Sequence, residues 1–276
     1  MTQPHSEQNC YQKSLSVMKV NVGRVIALML FLCGFAALLV LLTQMVIPIY
    51  HLCNGGWHVP TTEQWLNWLT KGVVSIAVLL VGLPLWTGVE KWWFTIGEEP
   101  DYPLSAVFDN FRSVRRYGRV LGLRLTLLLL KGTAYAVCLL PAVLVRWGMQ
   151  EAQKLSGAAG TALSGVLFFV WMCVTILGIA LGFYWNLRYF MVLYLFFRFP
   201  SMSYRTLYAR SHEMMRFRKT EMVNVYISMG PFYLLLALVL PVLFLLPYIN
   251  LLLAEKARTF LEQAERIGSW ERSADF

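Results

Sequence analysis

Charged side chains are scarce in this chain. Lys, Arg, Asp and Glu make up 14% of its 276 residues, whereas 58% of the residues are hydrophobic. Ordinary soluble domains have roughly a quarter charged residues, and a soluble fold of this length could not bury so much apolar surface. The shortage of charge therefore indicates an integral membrane protein.

Cysteine and histidine are too few for a disulfide framework or a metal site. The five cysteines are Cys10, Cys33, Cys53, Cys138 and Cys173. No CxxC pair occurs, and three cysteines lie in long apolar runs, where a thiol packs as a small hydrophobic group. His51, Cys53 and His58 occur close together, but a zinc site usually needs four ligands, or three with a water. We therefore expect no metal and no cofactor.

Recognisable catalytic and nucleotide-binding motifs are also lacking. The chain has no Gly-x-Ser-x-Gly sequence and no GxxxxGK followed by Ser or Thr, the motifs of two large enzyme groups. Glu98 and Glu99 form an acidic pair similar to that of membrane prenyl-type proteases. Pro100 and Pro103 break the helix that such a pair requires, so we interpret the pair as a turn. We expect a protein without enzymatic activity.

Long apolar runs dominate the rest of the chain. Crossing 30 Å of hydrocarbon takes about 20 residues of α-helix, and five stretches meet that length: residues 25–47, 72–94, 120–145, 161–199 and 222–253. The sequence predicts an all-α fold, a polytopic transmembrane helix bundle of about five spanning helices over residues 25–253. A cytoplasmic tail, residues 1–24, precedes it, and a polar helical tail, residues 254–276, follows it.

The side on which the C-terminus lies depends on the fifth stretch. Pro231, Pro241 and Pro247 interrupt residues 222–253. The stretch either crosses once, which places the tail outside, or forms a bent hairpin with two short legs that return the tail to the cytoplasm. The sequence alone favours the single crossing.

Basic residues are concentrated on one side of the predicted spans. Most of the 24 Lys and Arg residues lie in segments that are inside if the N-terminus is cytoplasmic, whereas the two outer loops hold only Lys71, Arg146 and Lys154. Because Lys and Arg gather in cytoplasmic loops, we expect a multi-pass protein of the cell membrane with a cytoplasmic N-terminus. The net charge of +9 reflects the same bias, and nucleic acid is not expected as a partner.

Two connecting segments have helical periodicity of their own. In the first the apolar stripe comprises Leu104, Val107, Phe108, Phe111 and Val114, and in the second the stripe comprises Tyr204, Leu207, Tyr208, Ser211, Met214 and Met215. Polar residues occupy the opposite faces, and each segment precedes a spanning stretch on the basic side. Pro103 marks the start of the first segment, and Ser201 or Ser203 that of the second. We predict two amphipathic helices in the cytoplasmic interface.

These two helices indicate contact with anionic lipid headgroups at the cytoplasmic face, since juxtamembrane Lys and Arg attract such lipids. Another membrane protein or a second copy of the chain is the alternative partner. The candidate contact residues are basic and lie in or beside the two segments: Arg112, Arg115, Arg116, Arg119, Arg205, Arg210, Arg216, Arg218 and Lys219. The leading hypothesis is a scaffold or accessory factor of the bacterial cytoplasmic membrane.

A second set of candidates lies inside the third stretch, where charge is expensive and therefore suggests function. Arg124 and Lys131 share one helical face, and Tyr135 and Cys138 continue it. This face is a possible polar track for an anion or a lipid headgroup, which would make the protein a small transporter or an export component. Alternatively, Arg124 reaches the interface and Lys131 pairs with Glu90 of the second stretch. An intramembrane enzyme is the third class.

A GxxxG motif, Gly178 to Gly182, lies in the fourth stretch. Small residues at this spacing let two helix backbones approach closely in a membrane. We expect the motif to serve packing inside the bundle.

Three further stretches follow one another in a characteristic order. The first has Gly88 and residues 92–94, then Glu98–Glu99 and a Leu-Ser-x-x-Phe sequence at residues 104–108. The second leads from a Tyr-rich segment at residue 189 through Phe199–Pro200 to Ser-x-x-Met-Met at residues 211–215. The third has Pro247–Tyr248 before Ala254, Ala257 and Phe260.

This order resembles the bacterial integral-membrane family known as domain of unknown function 975. The likeness covers roughly the C-terminal two thirds of the chain. Arg216–Phe217 stands where the family has a glycine after the paired methionines, and the fourth stretch lacks the family's Pro-Gly. The resemblance implies a membrane helix bundle, and it implies no activity because the family has none assigned.

Overall fold

The computed structural model describes residues 4–53, 60–154, 158–235 and 239–266, and within these ranges the regular structure is entirely helical. The α-helices are α1 Pro4–Val20, α2 Val22–Cys53, α3 Pro60–Ala77, α4 Leu83–Ile96, α5 Val114–Gln153, α6 Ala158–Asn186, α7 Val192–Arg198, α8 Tyr204–Met215, α9 Lys219–Ser228, α10 Gly230–Leu235 and α11 Val239–Arg266. A π-helical turn, Val78–Gly82, joins α3 to α4, and two 3-10 helices are Leu104–Phe111 and Leu187–Tyr189. The all-α prediction is confirmed for the described residues.

Four helical segments are long and apolar enough to cross a membrane. They are Val22–Cys53, Pro60–Ile96, Val114–Gln153 and Gly160–Arg198, and they contain the first four predicted stretches, except for residue 199. Their outward side chains are large and apolar, as Leu41, Val137 and Phe169 show with more than half of each exposed. Such extended apolar surface is typical of contact with lipid or with a partner rather than with water.

The fifth predicted stretch, residues 222–253, is divided between helices. α9 ends at Ser228, α10 begins at Gly230, and α11 begins at Val239. The break precedes Pro231, which has no N–H to donate and whose ring would clash with the carbonyl four residues earlier in a continuous helix. Pro231 therefore interrupts the stretch, as the sequence indicated, whereas Pro241 and Pro247 lie within α11.

The described residues divide into two compact units. Unit 1 contains those from the N-terminal part of the chain up to Gly122 together with those from Pro231 onwards, and unit 2 contains Leu123–Gly230. The boundary after Gly122 falls within α5. The sequence-based division is by residue range, into a bundle with a tail before it and a tail after it.

The core of unit 1 forms where α4 meets α2, α11 and the 3-10 helix Leu104–Phe111. Trp92, Trp93 and Ile96 are almost completely buried, and the two indole rings meet edge to face at 4.8 Å between centroids. Aromatic pairs of this geometry stabilise a core beyond the burial of their area.

The segment predicted as the first amphipathic α-helix is instead the 3-10 helix Leu104–Phe111, so its predicted apolar stripe is wrong in part. With three residues per turn rather than 3.6, Val107 and Asn110 share the inner face and are 1% and 3% exposed. Phe108 and Phe111, which the α-helical period placed beside Val107, are 45% and 38% exposed.

Close packing on α4 explains this geometry. A Cβ atom at Gly88 would lie 1.9 Å from the carbonyl oxygen of Val107, so the 3-10 backbone rests directly on the glycine. Asn110 donates from its Nδ2 to the carbonyl oxygen of Pro84 at 2.9 Å. The buried amide is thereby satisfied, which removes most of the cost of burying it.

The second predicted amphipathic segment is an α-helix, α8, with the predicted stripe. Leu207, Ser211 and Met215 are buried, and the other stripe residues are half-buried. Ser203 caps the helix, since its Oγ accepts from the N–H of Thr206 at 3.3 Å, as expected of an N-cap serine. The position of α8 in a membrane interface remains a prediction.

Candidate functional site

Two glycines bring α6 against α5 in unit 2. A Cβ atom at Gly178 would lie 2.7 Å from the carbonyl oxygen of Cys138, and one at Gly182 would lie 2.5 Å from the ring of Tyr135. Only glycine allows this approach, so the GxxxG motif serves packing inside unit 2, as predicted.

After this contact the chain changes from α-helix to 3-10 helix. α6 ends at Asn186, and the 3-10 helix Leu187–Tyr189 follows. Asn186 donates from Nδ2 to the carbonyl oxygen of Lys131 at 3.4 Å, while its buried Oδ1 accepts no hydrogen bond from the described residues. The tighter 3-10 turn changes the direction in which the next side chains point, because it advances 120° per residue instead of 100°.

A recess of about 260 Å³ lies beside this turn. Its walls come from one face of α5 and from the end of α6: Leu130, Thr133, Ala134, Val137, Cys138, Trp185, Arg188 and Tyr189. The lining is apolar except for a hydroxyl, a thiol, a phenol and one cation. We call this cavity the unit 2 recess.

Arg188 is the cation of the unit 2 recess. Its guanidinium carbon lies 4.7 Å from the ring centroid of Trp185 and 4.5 Å from that of Tyr189, distances at which aromatic faces attract a cation. Its Nε is buried and makes no hydrogen bond to any described residue. A guanidinium held by two rings in this way keeps its donors available for a ligand.

Helix α8 fastens the turn that carries Arg188. The buried hydroxyl of Ser211 donates to the carbonyl oxygen of Arg188 at 2.7 Å. The hydroxyl of Tyr208 is hydrogen-bonded to that of Thr126 at 2.7 Å, and the ring of Tyr208 meets that of Tyr189 edge to face. Burial raises the pKa of Tyr208, and the hydrogen bond with Thr126 opposes the rise. The α8 stripe thus positions the recess.

The predicted polar track forms one face of α5. Arg124, Lys131 and Tyr135 are half-buried, whereas Leu128 and Leu129 between them are exposed. The charged face therefore points toward protein. The backbone carbonyl of Lys131 accepts from Asn186 at the end of α6, and the ring of Tyr135 packs against Gly182 within α6. Glu90, the fourth residue of the set, belongs to unit 1, where it accepts from the indole N–H of Trp86 at 2.8 Å. A pathway along this face remains a prediction.

The predicted basic contact residues fall into both units. In unit 1, Arg112, Arg115 and Arg116 are exposed and Arg119 is half-buried; in unit 2, Arg205 and Arg216 are exposed, whereas Arg210, Arg218 and Lys219 are half-buried. Burial lowers the pKa of Arg218, and Glu221 opposes this change. Lys219 lies over the ring of Tyr184 at 4.8 Å. In unit 1, Arg112, Arg115 and Arg116 are therefore the predicted contact residues most accessible to a partner.

A buried ion cluster in unit 1 was not predicted. Arg258 of α11 pairs with Glu255 and donates from Nε to the carbonyl oxygen of Phe94 at 3.0 Å. Lys13 of α1 reaches Glu255 at 2.5 Å. Gly97 makes room for the guanidinium, since a Cβ atom there would lie 2.0 Å from Arg258 Nη2. We call Lys13, Glu255 and Arg258 the terminal ion cluster.

The terminal ion cluster joins α1 and α11, which contain parts of the two predicted tails. The division into tails and bundle stays a prediction. α1 and α11 pack together, and the thiol of Cys10 lies 3.8 Å from the hydroxyl of Thr259. Ala254, Ala257 and Phe260 are buried at the helical spacing of an apolar face. The helical spacing of these three residues is present in the sequence. Charged residues lie between them, so the segment was predicted as polar.

The acidic pair lies in a turn, as predicted. The N–H groups of Glu98 and Glu99 both donate to the carbonyl oxygen of Thr95 at 2.9 Å, just beyond the end of α4. Arg24 closes the turn by donating to the carbonyl oxygen of Pro100 at 2.8 Å.

His51, at the end of α2, contacts Glu63 in the first turn of α3. His51 Nε2 lies 3.5 Å from a carboxylate oxygen of Glu63, and His58 lies outside the described residues. Across the described part of the chain, no group of three His, Cys, Asp or Glu side chains could hold a metal ion.

Four membrane-length helices and cations placed beside apolar surface define the class of a multi-pass helical membrane protein. Comparison with models of protein families, with curated proteins and with solved structures found no match.

Proposed function

We propose that this protein is a non-enzymatic scaffold or accessory factor of a bacterial cytoplasmic membrane that engages anionic lipid headgroups. The observation that carries the proposal is the exposed arginine group at the start of the third span, Arg112, Arg115 and Arg116. We call these three residues the basic surface of unit 1. Juxtamembrane cations attract anionic lipid by about 1 kcal/mol each.

Neighbouring residues support this assignment of the basic surface. Phe108 and Phe111 are exposed immediately before it. Among the residues that the structure describes, Arg112 alone of the three has a carboxylate nearby, Asp109 at 3.2 Å. Exposed aromatic rings beside uncompensated cations are the features that an interfacial segment uses, since the rings enter the headgroup zone and the cations meet phosphates.

Charge reversal tests the basic surface. The triple variant Arg112→Glu, Arg115→Glu, Arg116→Glu is expected to lower the affinity of the basic surface for phosphatidylglycerol at least tenfold, because three attractive contacts of about 1 kcal/mol each become repulsive. The retained lipid is measured by mass spectrometry of the protein extracted from mixed phosphatidylglycerol and phosphatidylcholine bilayers.

The matched control carries the same change of net charge on the other predicted side. It replaces Lys71, Arg146 and Lys154 by glutamate and is expected to retain as much phosphatidylglycerol as the unaltered protein. Equal losses in both variants would mean that net charge alone, and not the basic surface, governs lipid retention.

For the topology we propose that both termini lie on the cytoplasmic side. α1 directly precedes the first span, and its Lys13 forms an ion pair with Glu255 of α11. Two residues 2.5 Å apart cannot lie on opposite sides of a bilayer. The contact therefore supports the bent hairpin for residues 222–253 over a fifth complete crossing.

Tags at the two termini test this topology. An epitope at either end is expected to be accessible in inside-out vesicles and protected in spheroplasts. If the C-terminal tag were accessible from outside while the N-terminal tag was protected, the fifth stretch would cross the membrane once. The proposal that both termini are cytoplasmic would then be wrong.

A transporter or export component is the second proposed function, favoured by the half-buried charged face of Arg124 and Lys131. If that face lines a pathway, Lys131→Leu abolishes function in a phenotypic assay while the basic surface variant retains it. Distant kinship with domain of unknown function 975 also remains a proposal, and the burial of Ser211 and Met215 gives a packing reason for that family's Ser-x-x-Met-Met pattern.

A further inference from the structure

We propose that the unit 2 recess is a binding site for one phospholipid with an anionic headgroup, with an acyl chain against α5 and the phosphate at Arg188. The site is separate from the basic surface of unit 1, and of the predicted polar face of α5 it shares Cys138.

Arg188 lies at the depth of a headgroup. Residues 161–185 carry no charge, and 25 helical residues span about 37 Å, more than the roughly 30 Å of hydrocarbon. Arg188 follows three residues later, so it lies where the hydrocarbon gives way to the headgroup zone. Trp185 is 52% exposed at the same level, the position that tryptophan prefers in membrane proteins.

The shape of the recess fits part of a chain-like molecule. Its volume of about 260 Å³ is below the roughly 300–1,000 Å³ of pockets that enclose whole small ligands. Leu130, Ala134 and Val137 form an apolar wall along α5, and Val137 is 71% exposed. A ligand can therefore place one chain along this wall and leave the remainder in the bilayer.

The surroundings of Arg188 favour the binding of an anion. Two aromatic rings hold the guanidinium, Ser211 holds the backbone beneath it, and no carboxylate pairs with it among the described residues. A buried guanidinium nitrogen without a hydrogen-bond partner is costly, and a phosphate oxygen satisfies it with a charge-assisted bond. Because the surrounding wall is apolar, an amphiphile fits the site better than a free ion does.

Substitutions of the cation and of the wall test the site in the full-length protein. Native mass spectrometry counts the lipids bound after release from bilayers of phosphatidylglycerol or of phosphatidylcholine with the same acyl chains. Arg188→Gln is expected to lower about tenfold the fraction of protein that keeps one tightly bound phosphatidylglycerol, and to leave phosphatidylcholine unchanged. Val137→Trp, at an exposed position that tolerates a larger side chain, is expected to lower retention of both lipids by filling the recess.

Each variant has a control of the same type. Arg146 is also an arginine over a tryptophan, 5.8 Å from the ring of Trp171, and Val143 is a valine of similar exposure on α5. Arg146→Gln and Val143→Trp are expected to match the unaltered protein, as neither lines the recess.

Three outcomes would overturn the proposal. These are equal retention in Arg188→Gln and Arg146→Gln, equal retention of the two lipids by the unaltered protein, and displacement of the bound lipid by inorganic phosphate alone, which would identify a free anion as the ligand. Because the triple variant of the basic surface leaves Arg188 intact, it is expected to keep the one tightly bound lipid. Failure of either idea is thus distinguishable from failure of the other.

Discussion

Replacing Glu255 by leucine is expected to destabilise unit 1 by about 3–5 kcal/mol, the cost of leaving a buried cation without its partner. The carboxylate pairs with Arg258, whose side chain is 3% exposed, and with Lys13. After the substitution, Arg258 keeps the hydrogen bond to the carbonyl of Phe94 and the contact with the Phe94 ring, but no carboxylate among the described residues. Thermal unfolding of the protein in nanodiscs, followed by tryptophan fluorescence from Trp92 and Trp93, measures the loss.

Variants of the same cluster separate charge from volume. The double variant Glu255→Leu, Arg258→Met removes both buried charges and is expected to recover most of the stability, since an apolar pair of similar size replaces a buried ion pair at little cost. Lys13→Met is expected to cost much less than Glu255→Leu, because the lysine side chain is half exposed. If the double variant were less stable than Glu255→Leu, the buried charges would not be the source of the effect.

Gly88→Ala is expected to disrupt the packing of the 3-10 helix Leu104–Phe111 on α4, at about 3 kcal/mol or more. A new methyl group would meet the carbonyl oxygen and carbonyl carbon of Val107 at 1.9 and 2.8 Å, and a backbone cannot move aside as a flexible side chain does. Overpacking of a tight core typically costs about 1–3 kcal/mol, occasionally more.

Gly118→Ala is the matched control for this substitution. Gly118 is a helical glycine of unit 1, and a Cβ atom there would have no neighbour within 4 Å. Alanine at this position is expected to leave stability unchanged or to raise it by up to about 1 kcal/mol, since alanine favours a helix over glycine. Equal unfolding temperatures for the two alanine variants would contradict the close contact between Gly88 and Val107.

The core of unit 1 joins helices that are remote in the chain. Val25 and Leu28 of α2 belong to the same core cluster as Leu251 of α11, so residues more than 200 positions apart meet in this core. Closing so long a loop costs entropy, which the contacts within the core must offset.

The recess and the terminal ion cluster illustrate two uses of buried charge in one chain. In the terminal ion cluster, Arg258 has a carboxylate and a carbonyl, so it fastens two helices. In the unit 2 recess, Arg188 lies over two aromatic rings and its Nε donates to none of the described residues, so it is available for a ligand. The difference lies in the partners that the fold supplies, and both residues are arginines near the ends of apolar helices.

Apolar length and period were enough to determine the helical class, four helices of membrane-spanning length, the α8 stripe, and the packing role of Gly178 and Gly182, whereas the structure decided between Ser201 and Ser203 as the cap of α8. These features depend on residues within a few turns of one another. Contacts between distant segments decided the rest: the 3-10 geometry of residues 104–111 on Gly88, the pairing of the terminal helices through Glu255, and the recess at Arg188. Local periodicity cannot reveal them, because their stability comes from partners that are remote in the chain and meet only when it folds.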